Sequence, residues 1–294
     1  GHREEPARPP VEPRGLRHCL NLRANVAAKI LYLDGVPSMR ALPVEELEVA
    51  PGAHTVTLAR NGRAPILQAG EANAVLDPDA LAHKLVHARR GGYCFEQNAL
   101  LLEVLTQLGF DAHPLSARVR YQRPRDFTPA RTHLFVRVEL DESWLADVGV
   151  GAMSLTCALR LAETGPQATP HEPRRLLREH GLLYHQVQFG EQWHDVCEFT
   201  LEEMPPIDRV VANWYTSTHP GSHFKNRLIV ARALPDGGRI GLLNRELSVR
   251  QRGGASERRV LHSPDELLAA LAEHFGLHFP AGTRFACDAL DWPA

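Results

Sequence analysis

The sequence predicts an α+β fold with helices first, an antiparallel β-barrel or rolled sheet in the middle, and a mixed α/β segment at the end. Three observations support this prediction. Apolar residues recur at helical spacing up to Gly109, β-branched and alternating segments run from His113 to Leu201, and a helix-capping sequence begins at Ser263. With 294 residues, 44% of them hydrophobic, the chain can bury a substantial core.

The N-terminal part begins with a predicted disordered tail, residues 1–17. Four prolines and alternating charges leave this stretch too little apolar surface to become ordered. Loosely helical spacing of apolar residues then predicts helices over Leu20–Leu33 and Pro43–Val49, separated by turn residues such as Asp34-Gly35. We expect a helical domain over residues 18–110.

Two better-marked helices complete that domain. Asp77 is a candidate N-cap with Pro78 in the first helical position, and Gly91-Gly92 ends the run. A second amphipathic helix is predicted from Cys94 to Leu108, with Gly109 as its stop. The apolar faces of the two helices comprise Leu81, Leu85 and Val86, and Leu101, Val104, Leu105 and Leu108.

After Gly109 the apolar period changes from helical to alternating, which predicts an antiparallel β-barrel domain over residues 111–206. The predicted strands are His113–Tyr121, Thr132–Leu140, Trp144–Val148, Leu182–Phe189 and Trp193–Leu201. Pro205-Pro206 closes this domain. The last domain, residues 207–294, is predicted to contain a helix over Asp208–Trp214, strands Arg227–Leu234 and Arg239–Leu243, and a helix capped by Ser263.

Composition excludes several classes of function. The 33 basic and 35 acidic side chains give a net charge of −2, so nucleic acid is not an expected partner. No long apolar run or basic leader is present, which favours a cytoplasmic protein that does not bind a membrane. The five cysteines are far apart and form no C-x-x-C pair, so neither a disulfide framework nor a metal site is predicted.

The stretch Arg89–Asn98 carries the strongest functional signal. Its two glycines permit close backbone approach, and the helix that follows places Cys94 in its first turn. The partial positive charge of a helix N-terminus favours the thiolate, which is the nucleophilic form of cysteine. The alternative is a buried cysteine that only fills space. The position of Cys94 favours a catalytic nucleophile.

A thiolate nucleophile usually needs an imidazole that accepts its proton. His133 opens a predicted strand and is expected on that strand's more polar face, and Asp147 lies on the next strand. If Leu140 pairs with Trp144, Asp147 falls opposite Arg137, on the face of His133 but several residues away. Contact between His133 and Asp147 therefore does not follow from spacing alone, and would need a bulge or a steep strand slant.

These residues resemble the arylamine N-acetyltransferase family. The segment Arg90–Asn98 is similar to the family's R-G-G-x-C-x-E-x-N motif, Thr132-His133-Leu134 to its histidine segment, and Asp147–Gly151 to its D-x-G-F-G segment. The segment Asn213–Phe224 is similar to a further stretch that helps to shape the acceptor and coenzyme A pocket. The four motifs occur in the family's order, and the likeness extends from about Leu76 to the C-terminus.

The resemblance implies a Cys94-His133-Asp147 triad, arranged as in cysteine proteases, that moves acetyl from acetyl-CoA to arylamines or arylhydrazines. It also implies a helical bundle, a β-barrel and an α/β lid, with no permanently bound cofactor. Family positions that border the substrates correspond to Thr132, Val150, Gly151, Ser222 and Phe224. Val150 stands where the family commonly has Phe, and residues 61–68 depart from the family's Pro-Phe-Glu-Asn stretch.

Three local signals have two interpretations each. His83 and His87 have a zinc-compatible spacing, although Lys84 replaces the glutamate of H-E-x-x-H, so a solvated helix face is favoured. Glu96 is either a general acid or, as we favour, a helix cap or ion-pair partner. The aromatic side chains of Trp214-Tyr215 either stack on a ligand or provide core or hinge packing.

Three classes of function remain open at this stage. The first is an acetyltransferase that acts through a thioester on Cys94. The second is an amide synthase or cysteine hydrolase that uses the same triad, on a carrier-bound acyl chain or with water. The third is a binding module without a triad. The resemblance favours the acetyltransferase.

Overall fold

The computed structural model describes residues 76–287 and 289–292, together with four short strands nearer the N-terminus. These strands form one small sheet in the order β1-β4-β2-β3. They are β1 (Arg23–Ala24), β2 (Ile30–Leu33), β3 (Val36–Pro37) and β4 (Val56–Ala59). The predicted disordered tail and the predicted helix over Pro43–Val49 lie outside the described residues.

The helix predicted over Leu20–Leu33 is wrong where the structure describes this stretch. Arg23–Ala24 pairs with β4, and Ile30–Leu33 pairs with both β3 and β4. In sequence, β2 and β3 are separated by Asp34-Gly35, a dipeptide that favours two-residue hairpin connections. The short apolar run before it therefore belongs to a strand, because a run of this length does not distinguish helix from strand by periodicity.

Two helical segments lead to the predicted nucleophile. Helix α1 (Pro78–Leu81) begins where the sequence predicts, since the Asp77 carboxylate accepts a hydrogen bond from the backbone N–H of Ala80 at 3.0 Å. It continues as a π-helical stretch, Ala82–His87. Helix α2 (Cys94–Gln107) begins at the predicted residue, and Gly109 follows it with φ of +83°.

The central sheet has seven antiparallel strands in the order β8-β7-β6-β5-β11-β10-β9. Its strands are β5 (Asp111–Val119), β6 (His133–Glu139), β7 (Ser143–Ala146), β8 (Leu159–Arg160), β9 (Arg174–Glu179), β10 (Leu182–Phe189) and β11 (Gln192–Glu203). Gln167 joins the two edge strands: its side chain bonds the backbone of Arg160 and its backbone bonds that of Arg174. The predicted barrel is thus nearly closed.

Both faces of β6 are buried in its first part, from His133 to Val136. Phe135 faces the barrel interior with Leu115 and Leu145, whereas Val136 and Val138 pack against helix α2. His133 shares the face of Phe135, and their rings stack with centroids 5.9 Å apart. His133 lies on the predicted more polar face, which also carries Arg137 and Glu139, but closure of the barrel buries the His133 end of this face, which an open sheet would leave in water.

The C-terminal part is an α/β lid, as predicted. It contains α3 (Pro206–Thr218), α4 (His223–Asn226), strands β12 (Ile229–Ala233), β13 (Arg239–Leu243), β14 (Glu246–Arg250) and β15 (Ser256–Val260), and α5 (Pro264–Phe275). The Ser263 hydroxyl caps α5 by accepting from the N–H of Glu266 at 3.1 Å.

The lid is joined to the barrel by ion pairs around one carboxylate. Glu172, just before β9, contacts Arg174 of the barrel at 3.1 Å and Arg239 of β13 at 2.8 Å, and also pairs with Arg250 of β14. Burial alone would raise the pKa of Glu172, but these arginines lower it to about 2. The carboxylate is therefore ionised and holds the two units together.

The predicted α+β fold is confirmed, with helical, barrel and lid parts in the expected order. The domain limits at residues 17, 110 and 206 stay a prediction. Sequence patterns missed the short β8 and the charged strands β9 and β15, whose residues do not alternate clearly between apolar and polar. Within the described part of the chain, no helix is both long and apolar enough to cross a bilayer.

Candidate active site

Cys94 is the first residue of α2, and its side chain is 4% exposed. The residue before it, Tyr93, is the N-cap and has an extended backbone. A Cβ atom on Gly92 would lie 2.8 Å from a Leu85 methyl carbon and 3.0 Å from Glu96 Cβ, so glycine is needed for this close approach. The sequence-based prediction of a cysteine at a tightly packed helix N-terminus is confirmed.

Glu96 has the structural role that the sequence favoured. Its side chain is fully buried, accepts a hydrogen bond from the backbone N–H of Tyr93 at 3.2 Å, and forms an ion pair with Lys84 at 2.6 Å. It thus completes a capping box and ties α2 to the preceding π-helical stretch. Both carboxylate oxygens are engaged in these contacts, which position the turn that carries Cys94.

His133 and Asp147 are in direct contact, which sequence spacing alone did not predict. The distance from His133 Nε2 to Asp147 Oδ2 is 2.8 Å, and the two residues are 1% and 3% exposed. The predicted register of β6 and β7 is wrong by two residues, because Trp144 pairs with Val138 and not with Leu140. The three-residue connection starts one residue earlier than predicted, at Leu140, which moves Asp147 two positions towards His133, so no bulge is required.

Asp147 is held from several sides. Its Oδ1 atom accepts hydrogen bonds from Asn98 Nδ2 at 3.0 Å and from the backbone N–H of Gly149 at 2.9 Å. Asn98 also donates to the Leu134 carbonyl at 2.7 Å and accepts from the N–H of Val148 at 3.0 Å. This one amide side chain therefore joins the nucleophile helix to both strands that carry the other two residues.

The electrostatics of the pair favour its charged form. Burial by itself lowers the pKa of His133, but the charge and hydrogen bond of Asp147, with the nearby Cys94 sulfur, raise that pKa to about 10. Burial likewise would raise the pKa of Asp147, but His133 and the Gly149 and Asn98 donors lower it. Because the ionised carboxylate only accepts, Nε2 carries a proton and Nδ1 is the ring nitrogen left for exchange with Cys94.

The loop after Asp147 packs directly on the nucleophile. A Cβ atom on Gly149 would lie 2.6 Å from Cys94 Cα and 2.8 Å from Asn98 Nδ2. Gly151 has a φ of +82°, a left-handed conformation that favours glycine. Glycine at positions 149 and 151 therefore permits the close approach of this loop to the nucleophile.

Thr132 and Phe224 lie beside Cys94. The Cys94 sulfur is 3.5 Å from the Thr132 carbonyl oxygen. Phe224 packs in the same apolar cluster as Cys94, and its ring meets the ring of Tyr93 edge-on with centroids 5.5 Å apart. The Tyr93 hydroxyl is buried and bonds the Asn213 side chain, which links the N-terminus of α2 to α3. Burial, with the nearby Cys94 and Glu96, raises the pKa of Tyr93.

The other three predicted binding residues have these positions. Val150 is half-buried and packs against the barrel core, and Gly151 is exposed. The Ser222 hydroxyl is buried, donates to the Thr216 carbonyl at 2.5 Å and accepts from the N–H of Phe224 at 3.3 Å. Ser222 thus caps α4 and positions Phe224. Substrate contact by all five residues stays a prediction.

The remaining sequence signals lie outside this centre. His83 and His87 are exposed with ring centroids 6.3 Å apart, which agrees with a solvated helix face. Trp214 is 53% exposed, and Tyr215 stacks on His219 with centroids 4.5 Å apart. Neither of these aromatic side chains is in the core, so core packing is wrong for them, whereas ligand stacking and hinge packing stay predictions.

Sequence reasoning missed two parts of the site. Asn98 is four residues after Cys94 on one helix face, a spacing that could have indicated its contact with the same neighbours. A buried group behind the triad, Arg174, His185 and Cys197, comes from three strands far apart in sequence. No local motif could have identified that group.

Comparison with known proteins agrees with this geometry. A family model described as N-acetyltransferase matches residues 67–283. The chain is 41% identical to an arylamine N-acetyltransferase of Mycolicibacterium smegmatis, over 83% of this chain and 88% of that protein. It is also 41% identical to one of Escherichia coli, over 69% and 72%.

Solved structures give the same result. The structure of Mycobacterium marinum arylamine N-acetyltransferase in complex with CoA matches with a TM-score of 0.66 and 39% identity. The match covers 69% of this chain and 75% of that one. The Mycobacterium tuberculosis enzyme matches with a TM-score of 0.67 and 40% identity, covering 70% and 78%.

Proposed function

Because the chain belongs to the arylamine N-acetyltransferase family, we propose that it transfers acetyl from acetyl-CoA to arylamines or arylhydrazines through a thioester on Cys94. One observation supports the catalytic roles of the three residues. The buried contact of 2.8 Å between His133 and Asp147 lies beside the helix N-terminus that bears Cys94. Amide synthase and hydrolase activities are not favoured, because the relatives of about 40% identity are named as acetyltransferases.

The first half-reaction loads the enzyme. Transfer of the Cys94 thiol proton to His133 Nδ1 forms the imidazolium that Asp147 favours, and the resulting thiolate attacks the carbonyl carbon of acetyl-CoA. The bond between that carbon and the CoA sulfur then breaks, and CoA leaves as a thiol with the proton from His133. Asp147 accepts from Nε2–H throughout, so it fixes the ring orientation and stabilises the imidazolium.

The second half-reaction returns the enzyme to its starting state. The amine nitrogen attacks the thioester carbonyl carbon, the bond from that carbon to the Cys94 sulfur breaks, and the proton lost by the amine restores the thiol by way of His133. Phe224, in the cluster that includes Cys94, offers an apolar surface against which an aromatic acceptor can lie. Acetyl-CoA is thus a co-substrate and not a bound cofactor.

Steady-state kinetics test this proposal. Initial rates are measured with acetyl-CoA as donor and an arylamine such as aniline as acceptor, both varied. Parallel double-reciprocal plots are expected, because CoA leaves before the amine reacts. Intersecting plots, which require both substrates to be bound at once, would contradict the thioester route, and absence of any amine acetylation would contradict the function.

Acceptor size offers a finer test of the predicted binding residues. If Val150 borders the acceptor, Val150→Phe should reduce the rate with bulky para-substituted anilines relative to aniline, by roughly tenfold to a few hundredfold. Phe224→Ala should weaken acceptor binding across the whole series. A flat size profile for Val150→Phe would remove Val150 from the acceptor pocket.

We also propose a cytoplasmic location. Cys94, Cys197 and Cys287 are free thiols, which suits a reducing compartment. Fractionation of the native cells, with the activity followed in each fraction, tests this location.

A further inference from the structure

We propose that a divalent transition-metal ion binds inside the barrel between His133, Asp147 and Cys197, and that it inhibits the enzyme. The three candidate ligand atoms are an imidazole nitrogen, a carboxylate oxygen and the Cys197 sulfur, and all lie within 4.8 Å of one another. Among the residues that the structure describes, this is the one group of three potential ligands with such spacing.

Cys197 has no part in the transfer reaction described above. It lies on β11, pairs across the sheet with Val119 of β5 and His185 of β10, and is 3% exposed. Its side chain belongs to the barrel core and faces the end of the barrel that holds the triad. A buried thiol beside two polar triad residues is a potential ligand that packing alone does not explain.

Arg174 and His185 determine which side of the Cys197 sulfur is available to a metal ion. Arg174 Nη1 lies 3.3 Å from His185 Nε2, and a guanidinium only donates, so His185 accepts at Nε2 and carries its proton on Nδ1. That Nδ1–H points at the Cys197 sulfur, 3.9 Å away. His185 is therefore not free to ligate through Nδ1, and the coordinating side of Cys197 is the one that faces His133 and Asp147.

The donor set indicates which ions would bind. One nitrogen, one oxygen and one sulfur ligand suit Zn²⁺, Cd²⁺ or Co²⁺ in tetrahedral geometry, with water as the fourth ligand. Binding releases the thiol proton of Cys197 and the Nε2 proton of His133 to solvent. The two negative ligands then balance the ion's charge of +2, which offsets the cost of a charge in the interior. Ca²⁺ and Mg²⁺, which prefer oxygen ligands, should not bind.

Inhibition follows from occupation of His133 Nε2 by the ion, and this part of the proposal rests on the proposed function. An ion on His133 Nε2 leaves the neutral ring with its proton on Nδ1, so Nδ1 cannot accept the proton of Cys94. The ion also replaces the hydrogen bond between the Asp147 carboxylate and the His133 ring. Metal binding does not depend on the acetyltransferase function. A spectroscopic measurement of binding therefore tests the metal site separately from the proposed function.

The test of binding uses Co²⁺ added to the whole protein in buffer without chelator or thiol. Thiolate-to-cobalt charge transfer in the near ultraviolet is expected for wild type and for Cys94→Ala. The band should be lost in Cys197→Ala and Cys197→Ser, the second variant serving if the first folds poorly. Cys157→Ala is the matched control, because Cys157 is a buried cysteine outside the cluster, and it should keep the band.

The test of inhibition uses Zn²⁺, with each variant's rate divided by its own rate without metal. Substitution of Cys197 should raise the half-inhibitory Zn²⁺ concentration at least about tenfold, whereas Cys157→Ala should match wild type. A cobalt band that persists in Cys197→Ala but disappears in Cys94→Ala would place the ion on the nucleophile and overturn the proposal. Absence of a thiolate band in wild type would also overturn it.

Discussion

The nucleophile and its two partners are held in contrasting ways. His133 and Asp147 come from the barrel, where Asp147 is bonded by a ring nitrogen, an amide side chain and a backbone N–H. Cys94 comes from the first turn of a helix, and its sulfur contacts the Thr132 carbonyl oxygen at 3.5 Å, longer than the contacts within the pair. The 3.5 Å length is ordinary for the larger sulfur atom, so the informative difference is the three hydrogen bonds that hold Asp147, which indicate that the base and acid are preorganised.

The largest loss of turnover is expected when the preorganised His133–Asp147 pair is disrupted. Asp147→Asn keeps the shape of the side chain but removes the charge that stabilises the imidazolium. We expect turnover to fall by roughly 10²–10⁴-fold, by analogy with triads in which the acid fixes the ring. Wild-type rates for Asp147→Asn would remove Asp147 from the triad. Asp195→Asn, which changes a carboxylate that pairs with Arg125 on the barrel, is the control.

Gly149→Ala tests the position of Cys94 at the start of α2. The added Cβ would lie 2.6 Å from Cys94 Cα, so either the loop or the start of α2 must move. Because a misplacement of about 1 Å can cost 10²-fold in rate, we expect turnover to fall by roughly tenfold to 10²-fold. Gly241→Ala is the matched control, since Gly241 lies in β13 of the lid and its Cβ would lie 3.4 Å from the Ser248 hydroxyl oxygen, an ordinary contact. Equal rates for the two variants would contradict the account.

Asn98→Ala tests the connection between the two regions. It removes both hydrogen bonds donated by the amide and leaves the N–H of Val148 without this acceptor. We expect about 1–3 kcal/mol of lost stability and roughly a tenfold loss of turnover, measured by denaturant unfolding and initial rates. Asn226→Ala, at an exposed hydrogen bond to Pro220, should have little effect on either quantity. Loss of stability without loss of turnover would show that Asn98 only supports the fold.

The stability contributed by the triad pair should depend on pH in a direction set by two shifts. The pKa of Asp147 is lowered by folding, so its contribution is present above the unfolded value of about 3.9 and is lost as pH falls through the folded pKa. The pKa of His133 is raised to about 10, so its contribution is complete below about 6.5 and is lost as pH rises through 10.

The stability advantage of wild type over Asp147→Asn should therefore be largest between about pH 4 and pH 6.5 and should shrink towards pH 10. Urea unfolding of both proteins across this range measures the difference. An advantage that grows from pH 6.5 to pH 10 would contradict the assigned charge states.

Local sequence rules correctly predicted the helix start that carries Cys94. The start of α2 at Cys94 and the cap at Asp77 follow from glycine, proline and carboxylate positions that act within a few residues. The triad pair was harder to predict, because the contact of His133 with Asp147 depends on which three residues form the connection between β6 and β7. A change of two residues in register decides whether the two side chains meet.

The barrel interior could not be predicted from strand patterns. Whether the His133 face is polar or buried depends on closure of the sheet, which Gln167 completes by joining the strands at Arg160 and Arg174. Cys197 meets the triad only because of that closure. These are long-range properties of the fold, whereas amphipathic period reports only on the immediate neighbours of a residue.

The most direct test of the central claim is the mass of the intact protein after incubation with acetyl-CoA in the absence of an acceptor amine. The account predicts one added acetyl group on wild type, located on Cys94 by peptide mapping and removed when an arylamine is added. Cys94→Ala should gain no acetyl group under the same conditions. An acetyl group on Cys94→Ala, or a wild-type adduct at another residue that the amine removes equally well, would contradict the assignment of Cys94 as the nucleophile.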